Sequence, residues 1–437
     1  MIWSKNETLP RSEIEKIQLE RLQETVNRVY EKVLPYRKKM DAAGVKPEDI
    51  KTLADLAKLP FTTKEDLRDN YPFGLFAVPK KDLVRVHASS GTTGKPTVVG
   101  YTKKDLDTWT ECVTRIAVMG GATPDDMAQI CFGYGMFTGA LGLHYGLENI
   151  GATIVPSSTG NSEKQIMFMK DFETTLLVAT PSYALRLAEV AKEMGVDIKK
   201  ELKVRIALVG SELLTEAMRE EMHKVWGDDC LVTSNYGMSE LMGPGVSGEC
   251  VYRTGLHVNE DHFLPEIIDP ETGEPRERGE SGELVVTTLT KEGIPLLRYR
   301  TKDLTRLNYE PCECGRTFAR MDKVRGRSDD MLKIRGVNVF PSQIESVIAA
   351  ISGIAPHYEL ILTRQNYTDY LEVRVELTDA SLLENYAALD GLRQTVVAKL
   401  QTVLGIKAKV TLAAPSSLKR YEGKAKRIID RRNENPD

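Results

Sequence analysis

Hydrophobic positions change character along the chain. From Ser12 to about Lys39, Ile14, Ile17, Leu22, Val26, Val29 and Val33 recur at helical spacing behind a Ser12/Glu15 pair of capping-box type. This predicts a long opening amphipathic helix. Between about residues 100 and 236, short β-rich runs (Ala128 to Phe132, Ala152 to Val155, Thr175 to Ala179, Val204 to Val209, Cys230 to Thr233) alternate with helical segments such as Ser182 to Met194 and Thr215 to Trp226. That alternation predicts a parallel sheet covered by helices. Between His262 and Asn308 the runs become closely spaced strands (Glu283 to Thr287, Leu296 to Tyr299, Leu304 to Leu307) separated by Gly and Pro turns, with no segment of helix length. Here an antiparallel subdomain is predicted. After the polar stretch Arg325 to Asp330 a smaller α+β unit is predicted: helix Pro341 to Ile351, strands Glu359 to Leu362 and Leu371 to Leu377, helix Leu392 to Leu404, strand Ala408 to Leu412. The fold class is therefore α/β. A large N-terminal domain (1–328) carries a helix-covered, mostly parallel sheet plus an antiparallel β subdomain, and a small domain (329–437) follows a boundary near Asp329.

Length agrees with this division, since 437 residues at roughly 150 per domain allow one large domain and a small one. Hydrophobic residues at 41% and charged residues at 28% exclude a disordered or fibrous chain. The balance of 59 Lys and Arg against 63 Asp and Glu, a net charge of −4, gives no global basic field for nucleic acid or membrane. An acidic small-molecule partner would need local positive charge. The N-terminus lacks an apolar signal region, no run approaches a membrane span, and six cysteines are too few for a disulfide framework. A cytosolic protein is expected.

Ala88-Ser-Ser-Gly-Thr-Thr-Gly-Lys-Pro-Thr97 is the most informative stretch. Two glycines, four hydroxyls and a lysine in one short loop can offer backbone N–H groups, O–H donors and a cation to phosphate oxygens. It is not a Walker loop, because Ser89 stands where Gly would be needed, Pro96 follows the lysine, and Thr97 to Tyr101 continues as a strand. Read from composition alone, a ligand-free Ser/Thr/Gly-rich hairpin loop fits equally well. Ser234-Asn-Tyr-Gly-Met-Ser-Glu240 follows a predicted strand, where ligands of open α/β sheets bind. Tyr236 could stack on a base and Glu240 could hold Mg²⁺. A plain turn with a solvated Glu explains that stretch by itself, as it does Gly210-Ser-Glu212 and Asp303. Lys424, after a glycine in a basic tail, reads alone as part of a solvated charge run.

Taken in order, six strings resemble the adenylate-forming acyl-CoA synthetases, most closely the phenylacetate–CoA ligase branch. They are Ser-Ser-Gly-Thr-Thr-Gly-Lys-Pro, Tyr-Gly-Met-Ser-Glu, Gly-Leu-His-Val-Asn-Glu-Asp-His-Phe, Arg-Tyr-Arg-Thr-Lys-Asp-Leu, Gly-Arg-Ser-Asp-Asp-Met-Leu-Lys-Ile-Arg-Gly-Val-Asn-Val-Phe-Pro and Glu-Gly-Lys-Ala-Lys-Arg. The resemblance runs over nearly the whole chain. It implies an ATP-dependent acid–thiol ligase that makes a CoA thioester of an arylacetic acid, most directly phenylacetate, through an acyl-adenylate. Its implied cofactors are ATP, Mg²⁺ and CoA. Ser89, Ser90, Gly91, Thr92, Thr93, Gly94 and Lys95 would grip the ATP phosphates. Tyr236 would pack on adenine beside Gly210, Ser211 and Glu212, with Gly237, Met238 and Ser239 in the same nucleotide-binding set. Glu240 would hold Mg²⁺, and Asp303 and Arg327 would bind the ribose hydroxyls. Asp329 resembles the family's hinge, Lys424 the lysine that stabilises charge during adenylation, and Arg335 and Gly336 the loop lining the CoA channel. The chain departs from the branch at Asn235, where Asp is usual, and at Asn259, where Trp is usual, which touches the shape of the pocket.

Cys312-x-Cys314, with Cys250 and His257, supplies a Cys₃His set. A structural zinc fits it, and so do reduced, unliganded thiols, because the spacings are not those of the common fingers. Phe132-Gly-Tyr-Gly-Met-Phe137 offers an aromatic wall with glycine clearance for a flat ring. Tyr134 reads equally as a core aromatic, the resemblance tips Phe137 to the substrate wall, and His144 reads as a packed or helix-surface residue. Two other readings stay open: an adenylyltransferase acting on a deazaflavin cofactor, and a non-catalytic nucleotide-binding relative. The branch is commonly dimeric, but the chain carries no interface signal of its own.

Overall fold

The computed structural model describes residues 1–89, 96–328, 332–335, 337–365, 368–420 and 427–432. The chain divides into two compact units, Met1–Leu214 with Met222–Val324, and Arg325–Asp437 with Thr215–Glu221.

The large unit opens with helices α1 (Arg11–Lys32), α2 (Leu34–Ala42) and α3 (Lys64–Asp69). The apolar stripe of α1 buries Ile14, Leu22, Val26 and Val29 as the periodicity predicts, but the single helix expected to run to Lys39 is two. Val33 is extended at φ −117°, and Pro35, which has no N–H to continue the ladder, sits in the first turn of α2. The expected Ser12/Glu15 capping box is not formed. Pro10 is the N-cap without a side-chain bond, and Glu15 pairs with Arg11 (3.7 Å) and Arg278 (3.1 Å) instead.

Strands β1 (Arg85–Ala88) and β2 (Val98–Tyr101) form an antiparallel hairpin around the hydroxyl-rich loop, and helix α4 (Lys103–Met119) follows. Then comes the expected alternation: β3 (Met127–Ile130), α5 (Gly139–Ile150), β4 (Thr153–Val155), α6 (Ser162–Asp171), β5 (Leu176–Ala179), α7 (Pro181–Glu193), α8 (Ile198–Glu201), β6 (Ile206–Val209), α9 (Glu216–Trp226) and β7 (Leu231–Tyr236). Strands β7, β6, β5, β3 and β4 pair in parallel in that order. Every residue of the inner strands β5 and β6 is buried, as continuous apolar runs in a parallel sheet should be, while the edge strand β4 is partly exposed.

The antiparallel strands are β8 (Ser247–Glu249), β9 (Leu256–Val258), β10 (Phe263–Ile268), β11 (Ser281–Thr288), β12 (Tyr299–Asn308) and β13 (Arg320–Met321). The expected antiparallel part is present, and it is continuous with the parallel strands: the order β10-β11-β12-β13-β9-β8-β7 runs directly into them, so both share one mixed sheet. Leu296 to Tyr299, expected as a strand, instead turns back on Thr288 through bonds of 2.9 Å, and β12 starts at Tyr299. Strand β10 escaped the pattern because Pro265 interrupts it. Proline is tolerated there because β10 is the last strand of the sheet order.

The smaller unit contains β14 (Gly326–Arg327), the hairpin β15 (Leu332–Ile334) and β16 (Val337–Val339), helix α10 (Pro341–Ala349), β17 (Ile354–Gln365), β18 (Thr368–Leu377), helix α11 (Tyr386–Leu404), β19 (Lys409–Ala413) and β20 (Ile428–Asp430). Its four-stranded sheet has the order β19-β18-β17-β20 over a core that includes Ile344, Ile348, Leu360, Val373 and Leu400. No helix among the described residues is long and apolar enough to cross a membrane.

Candidate active site and thiol cluster

Strand β7 delivers its last side chains to the edge where the parallel strands end. Asn235 is turned inward, its amide donating to the Val209 carbonyl at 2.9 Å. That bond explains Gly210, because a Cβ there would lie 2.5 Å from Asn235 Oδ1. Ser211 next to it is left-handed at φ +67°, and Glu212 accepts from the Ser182 hydroxyl at 2.6 Å through one oxygen. The other Glu212 oxygen is buried with no hydrogen-bond partner. Tyr236 donates its hydroxyl to Asp303 Oδ2 at 2.5 Å. Asp303, expected in a loop, lies within β12, which fixes its backbone more firmly than a loop would.

Beyond Tyr236 the chain makes a compact turn in which Leu241 N and Gly243 N both donate to the Met238 carbonyl, at 3.1 and 2.8 Å. A Cβ at Gly237 would lie 2.6 Å from Gly243 Cα, so the two passes of backbone touch. Glu240 is only 6% exposed. No described residue donates a hydrogen bond to its carboxylate, and its ionic neighbour is Lys64 at 3.8 Å. A buried carboxylate with open acceptor capacity is the donor chemistry that a hard divalent cation takes. Ser239 shares a hydrogen bond with Thr138 at the start of α5 (3.2 Å), which joins this turn to the aromatic loop.

In that loop Tyr134 Oη meets His144 Nδ1 at 3.1 Å, and burial pushes the Tyr134 phenol well up from its ordinary value. Phe137 is 55% exposed, so it closes no wall within the described residues. The Met136 carbonyl accepts from Ala88 N (3.0 Å) and lies 3.1 Å from His87 Nδ1, tying the loop to β1. Ser89 closes the base of the hydroxyl-rich loop through Thr97, by bonds of 2.9 and 3.1 Å.

Ser90, Gly91, Thr92, Thr93, Gly94 and Lys95 lie outside the described residues, as do Asp329, Gly336 and Lys424. Arg327 and Arg335 belong to the smaller unit. Arg327 is half-buried in β14, and Arg335, left-handed at φ +51°, donates to the Lys407 carbonyl at 2.7 Å.

The thiols form the second cluster. Cys250 follows β8, His257 lies in β9, and Cys312 and Cys314 sit on a turn closed by Gly315 N to Cys312 O at 2.9 Å. Their four ligand atoms all lie within 4.8 Å of one another, with Cys250 Sγ to Cys312 Sγ at 3.8 Å and Cys314 Sγ to His257 Nε2 at 3.4 Å. Metal–sulfur bonds of about 2.3 Å in a tetrahedron place sulfurs about 3.8 Å apart, so the cluster has the size of a zinc site. Hydrogen bonds from Cys250 and His257 pull the Cys314 thiol far down, and the same contact together with burial pushes Cys250 up. His257 Nδ1 is buried without a partner. The thiols pack with the buried side chains of Ile116 and Met119, and two residues beyond Cys314 the buried Arg316 pairs with Glu7 at 2.5 Å.

Family models match both parts of the chain: one described as AMP-binding enzyme over residues 12–290, and one described as AMP-binding enzyme C-terminal domain over residues 336–432. The chain belongs to the AMP-binding enzyme family. It is 49% identical over 440 residues to a phenylacetate–coenzyme A ligase of Thermus thermophilus, with 98% of each chain covered. It is 47% identical over 429 residues to one of Escherichia coli, covering 98% of this chain and 97% of that one. Among solved structures it matches 2-hydroxyisobutyryl-CoA ligase in the postadenylation state, in complex with R3-HIB-AMP. That match has a TM-score of 0.91 and 29% identity, and covers 98% of this chain and 92% of that one.

Several residues of this AMP-binding enzyme that shape the site escape a reading of the sequence. Thr138, Lys64 and Lys291 all reach Ser239 or Glu240 from distant segments. The Lys291 ammonium is pushed down to about 8, chiefly by burial. No pattern in the sequence marks Lys291, which lies in the polar, turn-like stretch Thr290-Lys-Glu-Gly293.

Proposed function

We propose that the chain is an AMP-forming acid–thiol ligase that joins an arylacetic acid, most directly phenylacetate, to coenzyme A through an acyl-adenylate. The reading is carried by the buried carboxylate of Glu240, which accepts no hydrogen bond from any described residue, four positions after the Tyr236 that bonds Asp303, in a chain nearly half identical, end to end, to proteins named phenylacetate–coenzyme A ligase.

In the first step a carboxylate oxygen of the acid attacks the α-phosphorus of ATP, the bond to the bridging oxygen breaks, and pyrophosphate leaves. An anion approaches an anion, so the barrier falls through positioning and positive charge. Glu240 is the residue to hold Mg²⁺, which when bound would neutralise phosphate charge. Lys95 and Lys424 are the proposed side-chain cations, and Ser89 to Gly94 the phosphate grip. Tyr236 and Gly210 to Glu212 would receive the adenine, and Gly237 to Ser239 would line the nucleotide. Asp303 and Arg327 would take the ribose hydroxyls. In the second step the CoA sulfur, its proton lost, attacks the acyl carbon and AMP leaves with the anhydride oxygen. Arg335 and Gly336 are the proposed CoA-side residues, and Asp329 the pivot between the two steps. Tyr134 and Phe137 are the proposed contacts to the ring.

The thiol cluster is read as a structural zinc site of Cys250, His257, Cys312 and Cys314, with four protein ligands and no open position. Elemental analysis tests it, with one zinc per chain expected.

The test of the reaction is acid-dependent ATP–pyrophosphate exchange over arylacetic, aryl and aliphatic acids, followed by AMP release with and without CoA. Exchange with phenylacetate and CoA-stimulated AMP release are expected. Exchange with none of the acids overturns the ligase reading.

A further inference from the structure

Lys291 is 2% exposed and among the largest fully buried side chains of the protein. Its ammonium donates to the backbone carbonyl of Glu240 at 2.8 Å and lies 5.1 Å from the centre of the Tyr101 ring. Tyr101 reaches the preceding carbonyl, of Ser239, at 3.4 Å. Two successive carbonyls of the Ser239–Glu240 turn are thus held by side chains from β2 and from the segment after β11.

The segment that carries Lys291 is itself fixed. Asp105 accepts from Glu292 N at 2.6 Å and Gly293 N at 2.9 Å while capping α4 through Thr102 N at 2.9 Å. Gly293 packs so closely that a Cβ would lie 2.5 Å from the Gly100 carbonyl. The lysine stem therefore leaves a braced base and ends on the turn.

Burying an ammonium costs several kcal/mol, and an apolar side chain of similar volume often serves a core as well or better. Lys291 has no carboxylate within salt-bridge distance among the described residues; the Glu240 carbonyl and the Tyr101 ring face are its direct contacts, and the carboxylates of Asp105 and Glu240 attract its charge from farther away. A charge retained at such cost acts on what it touches, and it touches Glu240.

We propose that Lys291 is a positioning residue that fixes the Ser239–Glu240 turn and thereby sets the affinity of the site for the metal–nucleotide complex. This rests on the ligase reading for its kinetic consequence only.

The test uses the full chain with Lys291→Met, and with Lys291→Gln, which keeps a hydrogen-bond donor but removes the charge. Three readouts are taken: kcat and KM of exchange, affinity for Mg²⁺–ATP by calorimetry, and amide hydrogen exchange of residues 238–243. Removing a hydrogen bond from a charged donor should weaken nucleotide binding and lower kcat by roughly tenfold or more in Lys291→Met, with a smaller loss in Lys291→Gln. The KM for the acid should stay near wild type, and the turn amides should exchange faster. Lys291→Arg, which restores a charged donor, should recover most of the loss. A folded Lys291→Met with wild-type affinity, kcat and exchange protection overturns the proposal. If Lys291→Met does not fold, Lys291→Gln decides by the same criteria, and if neither folds the residue serves the core and the proposal fails. A wild-type chain that turns over no acid would sink the ligase reading and leave nucleotide affinity and hydrogen exchange to judge Lys291.

Discussion

The two clusters carried by the mixed sheet treat their ionisable groups in opposite ways. Around Tyr236 the carboxylates of Glu212 and Asp303 each accept from a neutral hydroxyl, that of Glu240 accepts no hydrogen bond from a described residue, and one Glu212 oxygen has no partner among the described residues. In the thiol cluster Cys250, Cys312, Cys314 and His257 turn their ligand atoms on one another within 4.8 Å. Open acceptors on a rigid frame suit a ligand that arrives and leaves. Convergent ligand atoms suit an ion that stays for the lifetime of the fold. On the proposed reading one sheet would supply an exchanging site and a permanent one, and what separates them is whether the polar groups turn on each other.

That contrast can be broken most sharply at the permanent site. Cys314→Ser, or stripping with a strong chelator, should lower the unfolding free energy by several kcal/mol, because metal binding there is folding free energy. Elemental analysis and denaturant melts read the result, and an unchanged melt would mean that the thiols hold nothing. For the proposed adenylation lysine, Lys424→Ala should lower acid-dependent ATP–pyrophosphate exchange by about 10²-fold, the scale of a lost transition-state charge, and leave the melt unchanged. A loss of stability with intact exchange would reverse the assignment. Tyr236→Phe removes the 2.5 Å bond to Asp303. Nucleotide affinity measured by calorimetry should fall about tenfold, within the range for hydrogen bonds to charged groups. Smallest of all, Glu212→Gln keeps the acceptor that Ser182 uses and changes only the partnerless oxygen. It should alter the KM for ATP by roughly two- to threefold, less than a full hydrogen bond to a charged group.

Much of this was legible in residue order. The parallel strands announce themselves as short apolar runs because both faces are buried, and the alternation with amphipathic helices leaves few arrangements. The family was legible because its motifs are local strings. What escaped is non-local. The Ser12/Glu15 pair spells a capping box, yet the helix starts one residue earlier, at Arg11, and Glu15 finds partners on α1 and 263 residues away. The antiparallel strands looked separate because β13, which joins β12 to β9, is two residues long and lies beyond the thiol turn. Lys291 meets Glu240 across 51 positions and Thr138 meets Ser239 across 101, separations at which no spacing rule operates. The tie of the Phe132–Phe137 loop to β1 through the Met136 carbonyl is equally non-local, and it leaves the Phe137 ring more than half exposed among the described residues.

Glu7 and Arg316 are 309 positions apart and fully buried against each other. During synthesis the acid waits for its partner. At about 5–20 residues per second the delay is roughly 15–60 s, in which the first turn of the chain has nowhere to dock. The large unit can therefore be sealed only after the 312–314 thiols have emerged, so assembly of the thiol cluster and closure of the N-terminal segment fall in the same late interval of the protein's manufacture.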